Sequence, residues 1–204
     1  MLILDEHRIA FAFPAKTGST TAVKFISNFR GATKVLPQKH LLPSEVVKDY
    51  PQIKDYRIFC FVRNPVDRFV SAMCMNGTEP LLKDLANAIC KSDDLDIDEF
   101  LRKYFLNGFL GNARHESFRR YMFLSQAKYF QGFDVTALDF DDYENELRKA
   151  TKDLELDKVE VTRENEGNLD MKQSLASKVK SFVRAEYAED YRLWEEKFGR
   201  RIDA

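Results

Sequence analysis

Two short, mainly apolar runs, each followed by a polar loop and a helical pattern, constrain the fold of this chain most strongly. Residues 8–13 (RIAFAF) and 57–62 (RIFCFV) have the length and continuous apolar character of strands that are buried on both faces. A helical pattern follows the first loop, and a second helical pattern begins at Pro65. Because strand, loop and helix repeat, the sequence predicts βαβ units and a parallel sheet.

The length of 204 residues suits one domain of this kind, and the chain has no internal repeat and no linker rich in Pro, Gly or Ser. We therefore predict a single α/β domain over residues 1–204, P-loop-like, with a central parallel sheet flanked by helices. Further strands are expected within 128–140 and at 158–162. From Val179 to Phe198, large apolar side chains recur at helical spacing, which predicts a helix that packs on the core and ends at Gly199.

Charge and cysteine content exclude several classes of protein. Lys and Arg (32) nearly balance Asp and Glu (33), so the basic excess of a general nucleic-acid-binding protein is missing, and no nucleic acid partner is expected. The three cysteines, Cys60, Cys74 and Cys90, form no CxxC pair, which is typical of reduced thiols. We find no signal-peptide layout and no apolar stretch of the roughly 18 residues that span a bilayer. The expectation is a cytoplasmic protein without a membrane span.

The first loop, residues 13–21 (FPAKTGSTT), is a candidate anion site. It lies between a buried strand and a helix start, where main-chain N–H groups and the helix dipole favour negative charge. Gly18 permits a tight turn, and Lys16 adds a mobile positive charge. A Walker A loop would read GxxxxGK[ST], whereas this lysine precedes the glycine, so a standard ATPase or kinase site is disfavoured. Taken alone, the loop is also explained as a capped helix start.

The second loop follows the run 57–62 and begins a helix. Asn64 is a good N-cap residue, and Pro65 suits the first helical position. Arg63 then projects from the carboxyl end of a strand, where open α/β sheets bind ligands. With Ser71 from the following helix, its guanidinium can hold a phosphate through two parallel hydrogen bonds. For this loop alone, a capped helix with an exposed arginine is the alternative.

Together, KTGSTT after one strand and FVRNPVDRFVSA at the end of the next resemble the sulfotransferases that use 3′-phosphoadenosine 5′-phosphosulfate (PAPS). The likeness is closer to the carbohydrate sulfotransferase branch. The resemblance implies transfer of a sulfuryl group from PAPS to an acceptor hydroxyl, and the carbohydrate branch implies that this hydroxyl belongs to a saccharide. It also implies that Arg63 and Ser71 hold the 3′-phosphate. The residues implied at the 5′-phosphosulfate are Lys16, Thr17, Gly18, Ser19, Thr20 and Thr21.

The resemblance extends to other segments. Residues 39–42 (KHLL) are similar to a family segment that carries a candidate general base, which assigns that role to His40; His115 is the alternative. Residues 120–147 and the terminal YAEDYRLWEEKFG also resemble family segments. Arg163 and Asn165 are implied as further nucleotide contacts. The chain departs from the family at Ala15, which separates the usual proline from the lysine, and at Asp139, where glutamate is usual.

These residues support a reaction in which His40 removes the acceptor proton and Lys16 neutralises charge on the bridging oxygen of the leaving group. A sulfuryl group carries less charge than a phosphoryl group, so no metal is required, and no zinc-ligand spacing occurs. The segment 93–100 lacks the glycine and glutamate of a calcium loop and is interpreted as a helix start. Two alternatives stay open: a P-loop nucleotide kinase-like transferase, and a non-catalytic domain that binds a nucleotide or a sulfated glycan.

Overall fold

The fold is a mixed α/β arrangement with one five-stranded sheet, seen in a computed structural model. The structure describes residues 1–27, 29, 33–36, 38, 40–75, 80–110, 121–154, 160–161 and 169–200. The strands are β1 (Leu2–Leu4), β2 (Ile9–Ala12), β3 (Thr33–Val35), β4 (Arg57–Val62) and β5 (Val135–Asp139), in the order β3-β1-β2-β4-β5.

The parallel part of the sheet is the part that the sequence predicts. Strand β4 pairs in parallel with β2 on one side and with β5 on the other. This arrangement confirms the predicted fold class, a central parallel sheet flanked by helices. The edge formed by β1 and β3 is antiparallel and was not predicted. Both strands have only three residues, too few for an apolar pattern to mark them as strands.

Helices cover the sheet and extend beyond it. They are α1 (Ser19–Ile26), α2 (Pro43–Val46), α3 (Pro65–Met73), α4 (Pro80–Lys91), α5 (Ile97–Phe100), α6 (Tyr143–Ala150), α7 (Leu169–Glu186) and α8 (Ala188–Phe198). Short 3-10 helices occupy Asp5–His7, Pro51–Asp55, Gln126–Phe130 and Lys152–Leu154, and a π-helix, Leu101–Leu110, continues α5. Among the helices that the structure describes, none combines the length and apolar character that a membrane crossing requires.

Four clusters of buried side chains occur among the described residues, and the smallest, with Val62, Leu193 and Trp194, joins β4 to α8. Residues of α1 and α6 pack on one face of the sheet, and residues of α2 and Tyr129 pack on the other. The third cluster joins α3, α4 and α7 with Ala15, which follows the end of β2. This helical layer therefore starts where β2 and β4 end, at the carboxyl edge of the parallel strands.

The C-terminal segment is helical and buried as predicted, but it forms two helices. The break is at Tyr187 (φ −116°, ψ 35°), between α7 and α8. The Tyr187 hydroxyl donates to Phe123 O at 2.9 Å, and Asp190 in the first turn of α8 is fully buried. Apolar periodicity alone does not reveal such a break, because the contacts that accompany it come from distant residues. The predicted stop at Gly199 is confirmed by its left-handed conformation (φ 63°).

Most of the strand predicted at 158–162 lies outside the described residues. Glu160 and Val161 are described and are not in a strand. The prediction for 93–100 is confirmed in position, since Asp96 caps α5 by accepting from Glu99 N–H at 3.0 Å.

Candidate functional site

The two predicted loops meet at the carboxyl edge of the sheet. Strands β2 and β4 are parallel neighbours, so the loop after β2 and Arg63 after β4 leave the same edge. Arg63 Nη1 donates a hydrogen bond to the main-chain oxygen of Lys16 at 3.2 Å. Phe140, which follows β5, lies under the Arg63 guanidinium at 4.6 Å from the ring centre. A single site therefore contains the basic residues of both loops.

The first loop is held in shape by its main chain and by Tyr143. Lys16 (φ 68°) and Gly18 (φ 79°) both adopt the left-handed conformation. The buried Thr17 hydroxyl donates to Pro14 O at 2.7 Å, so this side chain shapes the loop. The Tyr143 hydroxyl donates to Gly18 O at 2.6 Å, and its ring would overlap any Cβ at position 18. Glycine is therefore required there by conformation and by space.

The start of α1 is suited to an anion. Its N-cap residue is Gly18, and the first turn, which the structure describes in full, has no side-chain cap and no acidic residue. The first N–H groups of a helix lack intrahelical partners, and the helix dipole favours negative charge at that end. Ser19 and Thr21 are largely buried, whereas Thr20 is partly exposed. An anion at this helix start would thus contact mainly N–H groups, with Lys16 as the neighbouring cation.

The second loop is held by side chains. Gln126 is fully buried and brackets the main chain of Arg63: the Arg63 N–H donates to Oε1 at 2.9 Å, and Nε2 donates to the Arg63 oxygen at 2.8 Å. Asn64 caps α3 by accepting from the N–H groups of Val66 and Asp67, as predicted. Burial lowers the pKa of Arg63 from its high ordinary value, and Asp67 opposes this shift.

The other residues predicted at the nucleotide are not all joined to this site. Ser71 lies on the buried side of α3, six residues after Pro65 and so about 9 Å along the helix axis. Its hydroxyl makes no direct hydrogen bond to Arg63 within the described structure. Arg163 and Asn165 lie outside the described residues, as does the alternative base His115.

His40 is attached to the first loop. Its Nδ1 lies 2.8 Å from Phe13 O, the carbonyl that directly follows β2. Because a carbonyl only accepts, Nδ1 carries the proton in the neutral ring, which leaves Nε2 as the basic nitrogen. The main-chain oxygen of His40 accepts from the Tyr129 hydroxyl at 2.7 Å. One side-chain contact and one main-chain contact therefore hold this histidine beside the loop that contains Lys16.

The two departures from the family pattern have local explanations. Ala15 is 1% exposed and packs in the helical layer with residues of α3 and α7, so the residue before Lys16 anchors the loop to that layer. Asp139 Oδ2 pairs with Arg200 at 2.6 Å, and Oδ1 accepts from Asp141 N–H at 2.9 Å. Its carboxylate thus stabilises the turn after β5. Throughout the described ranges, no group of three or more His, Cys, Asp and Glu side chains could hold a metal ion.

A comparison with models of protein families shows which family the chain belongs to. The profile of the sulfotransferase family matches residues 1–103, half of the 204-residue chain. The chain belongs to the sulfotransferase family. The matched part contains both loops, His40 and Ser71. Searches of curated proteins and of solved structures found no match to this chain.

Four residues at the site were not predicted from the sequence: Gln126, Tyr129, Phe140 and Tyr143. All four lie within the segment 120–147, beyond the matched residues 1–103, and no local motif marks these positions. Their roles depend on contacts over long sequence separations, such as the 125 residues between Gly18 and Tyr143. No local pattern signals such contacts.

A separate cleft of about 580 Å³ lies where segment 123–128 meets the break between α7 and α8. Its described lining includes Leu106, Phe123, Lys128, Tyr187 and Glu189, and none of the described lining residues belongs to either loop. The hydrogen bonds from Arg63 to Lys16 O and from His40 to Phe13 O locate the candidate site better than this volume does.

Proposed function

We propose that this sulfotransferase transfers a sulfuryl group from PAPS to an acceptor hydroxyl. The hydrogen bond between Arg63 Nη1 and Lys16 O carries this proposal, because it joins the two loops that would hold opposite ends of one doubly phosphorylated nucleotide. The distance between a 5′- and a 3′-phosphate on one ribose requires two anion sites close together, each with its own positive group.

The residues of the two loops fit these two ends. Lys16 and the N–H groups at the start of α1 would hold the 5′-phosphosulfate, with Thr17, Gly18, Ser19, Thr20 and Thr21 forming that turn. Arg63 would hold the 3′-phosphate, because its planar guanidinium matches phosphate oxygens. Ser71 is proposed to assist from α3, and Arg163 and Asn165 remain predicted contacts of the nucleotide.

When bound, PAPS supplies the sulfuryl group, and adenosine 3′,5′-bisphosphate is the leaving group. His40 Nε2 accepts the proton of the acceptor hydroxyl while the acceptor oxygen bonds to sulfur and the sulfur–oxygen bond to the 5′-phosphate breaks. The Phe13 carbonyl keeps His40 in the required tautomer. Lys16 stabilises the negative charge that develops on the oxygen released from sulfur. The lower charge of a sulfuryl group allows this reaction without a metal.

The proposed class of acceptor and the proposed cellular compartment are inferred from the sequence. The likeness to the carbohydrate branch favours a saccharide hydroxyl. The three cysteines are free thiols, which agrees with the proposed cytoplasmic location.

Isothermal titration calorimetry in magnesium-free buffer tests the proposal. Adenosine 3′,5′-bisphosphate is expected to bind far more tightly than AMP, because only the former has the phosphate that Arg63 would hold. Equal affinities for the bisphosphate and AMP would contradict a 3′-phosphate site at Arg63 and therefore the proposed function. Tight binding of ATP that requires magnesium would favour the kinase-like alternative. Nucleotide binding without transfer of labelled sulfate from PAPS to any saccharide would favour the non-catalytic alternative.

A further inference from the structure

Gln126 satisfies the main chain of Arg63 at the point where the sheet ends. The last ladder pair between β4 and β5 is Val62 with Asp139, and Arg63 is the next residue along β4. The N–H and C=O groups of Arg63 both bond to the amide of Gln126, at 2.9 and 2.8 Å. The Gln126 amide thus makes the two main-chain hydrogen bonds that a neighbouring strand would otherwise make to Arg63. These bonds fix the direction in which the chain leaves the sheet at Arg63.

The segment that contains Gln126 is itself fixed on both sides of this residue. The carboxylate of Asp190 accepts from the Ser125 hydroxyl at 2.5 Å and from the Ala127 N–H at 3.0 Å. Arg68 of α3 lies 3.5 Å from the same carboxylate, in an ion pair that is almost fully buried. Gln126 therefore has little freedom to move.

Arg68, which lies in the helix after the second loop, also contacts the segment that contains Gln126. Its Nη1 donates to Met122 O at 3.3 Å, so α3 is tied to the start of the segment that ends at Gln126. Arg63 and Arg68 are five residues apart. The segment 122–126 contacts both of them, and Asp190 pairs with Arg68. The main chain of Arg63 is thus held by Gln126, and the segment of Gln126 is in turn held by the buried pair Asp190 and Arg68.

We propose that Gln126 is a positioning residue for Arg63 and thereby sets the preference of the enzyme for a nucleotide with a 3′-phosphate. This inference rests on the proposed function. Burying an amide costs free energy unless the amide is hydrogen-bonded. The Gln126 amide bonds to the main chain of Arg63, the residue that would bind the 3′-phosphate. Gln126 does not contact the nucleotide; it acts through the main chain of Arg63.

The test compares the Gln126→Met variant with the wild-type protein. Methionine has a similar length but removes both hydrogen bonds to Arg63. The measured quantity is the ratio of the affinities for adenosine 3′,5′-bisphosphate and AMP, by calorimetry well below the melting temperature. We expect this ratio to fall roughly tenfold, the loss of about one charged hydrogen bond. In turnover assays the KM for PAPS should rise by a similar factor with little change in kcat.

Thr151→Val is the matched control, because Thr151 is also a buried residue whose hydroxyl bonds to a main-chain oxygen, that of Leu147 at the end of α6. It should lower the melting temperature and leave the affinity ratio unchanged. If Gln126→Met does not fold, Gln126→Glu decides, since it keeps an acceptor for the Arg63 N–H and should lower the ratio less than tenfold but measurably.

The outcomes separate this inference from the proposed function. A wild-type protein that does not prefer the bisphosphate over AMP overturns both. A wild-type protein with that preference, together with a Gln126 variant that keeps it in full while losing stability, would give Gln126 a structural role only and overturn this inference alone.

Discussion

The two strand–loop–helix units of this chain differ in how they hold the groups that we propose bind the nucleotide. After β2, the chain turns through two left-handed residues, Lys16 and Gly18, and α1 starts without a side-chain cap. After β4, no residue of the loop has a positive φ, and Asn64 caps α3. The first helix start thus leaves main-chain N–H groups for a ligand, whereas the second satisfies two of its own.

This difference suggests how each unit would recognise a phosphate. At α1, binding would depend on the conformation of the main chain, with Lys16 as an added charge. At α3, it would depend on the Arg63 side chain, which stacks on Phe140, while Gln126 holds the main chain of Arg63. Substitutions should therefore act through the backbone in the first unit and through a side chain in the second.

The largest effect is expected at His40, which is attached to the first unit through Phe13 O. His40→Ala should keep the binding of adenosine 3′,5′-bisphosphate and lower turnover by roughly 10²- to 10⁴-fold, since a general base is lost. Steady-state assays with labelled PAPS measure this.

His7→Ala is the matched control, because His7 lies in the turn before β2, at the opposite end of that strand. It should leave turnover unchanged. A near-normal rate in His40→Ala would instead assign the base to another residue, with His115 as the first to test.

Gly18→Ala should disrupt the first unit through its backbone. The left-handed conformation costs about 1–2 kcal/mol for alanine, and overlap with the Tyr143 ring adds about 1–3 kcal/mol. We expect a loss of roughly 2–5 kcal/mol in the free energy of unfolding, measured by urea denaturation, and weaker binding of both the bisphosphate and AMP.

Gly132→Ala separates the two contributions, because Gly132 has nearly the same φ (75°) but no heavy atom within 4 Å of an added Cβ. It should lose only about 1–2 kcal/mol. Equal losses in the two variants would show that Tyr143 does not restrict position 18.

Arg63→Ala should affect the second unit through its side chain alone. Affinity for adenosine 3′,5′-bisphosphate is expected to fall by more than about 1 kcal/mol, the scale of a charged hydrogen bond, while AMP binding changes little. Arg57→Ala, at the exposed opposite end of β4, removes the same charge and is the control. If Arg63→Ala binds the bisphosphate as the wild-type protein does, the 3′-phosphate lies elsewhere.

The smallest effect is expected at Asn64. Asn64→Ala removes the cap of α3 and should cost about 1 kcal/mol in the free energy of unfolding, with unchanged nucleotide affinity. Asn64→Ser keeps a capping oxygen and should restore most of that stability. A loss of nucleotide affinity in Asn64→Ala without a loss of stability would contradict the contrast between the two helix starts.

The sequence predicts local features of this fold well and long-range ones poorly. The strand at 57–62, the cap at Asn64 and the stop at Gly199 were predicted correctly, because each depends on neighbouring residues. The break at Tyr187 was not predicted, since it involves contacts with Phe123 and, through Asp190, with Ser125.

The same distinction applies to the site. Lys16 and Arg63 were found from loop motifs, and the structure joins them across 47 residues. Gln126 and Tyr143 were missed, because their side chains reach residues 63 and 125 positions away. Residue type alone does not distinguish a buried glutamine that bonds to a main chain from one on the surface.

The most direct test of the two-loop account is a crystal structure with adenosine 3′,5′-bisphosphate bound. The account predicts the 5′-phosphate at the N–H groups of residues 17–21 with Lys16 Nζ beside it, and the 3′-phosphate at the Arg63 guanidinium. A nucleotide bound away from the carboxyl edge of β2 and β4, or with its 3′-phosphate remote from Arg63, would contradict it.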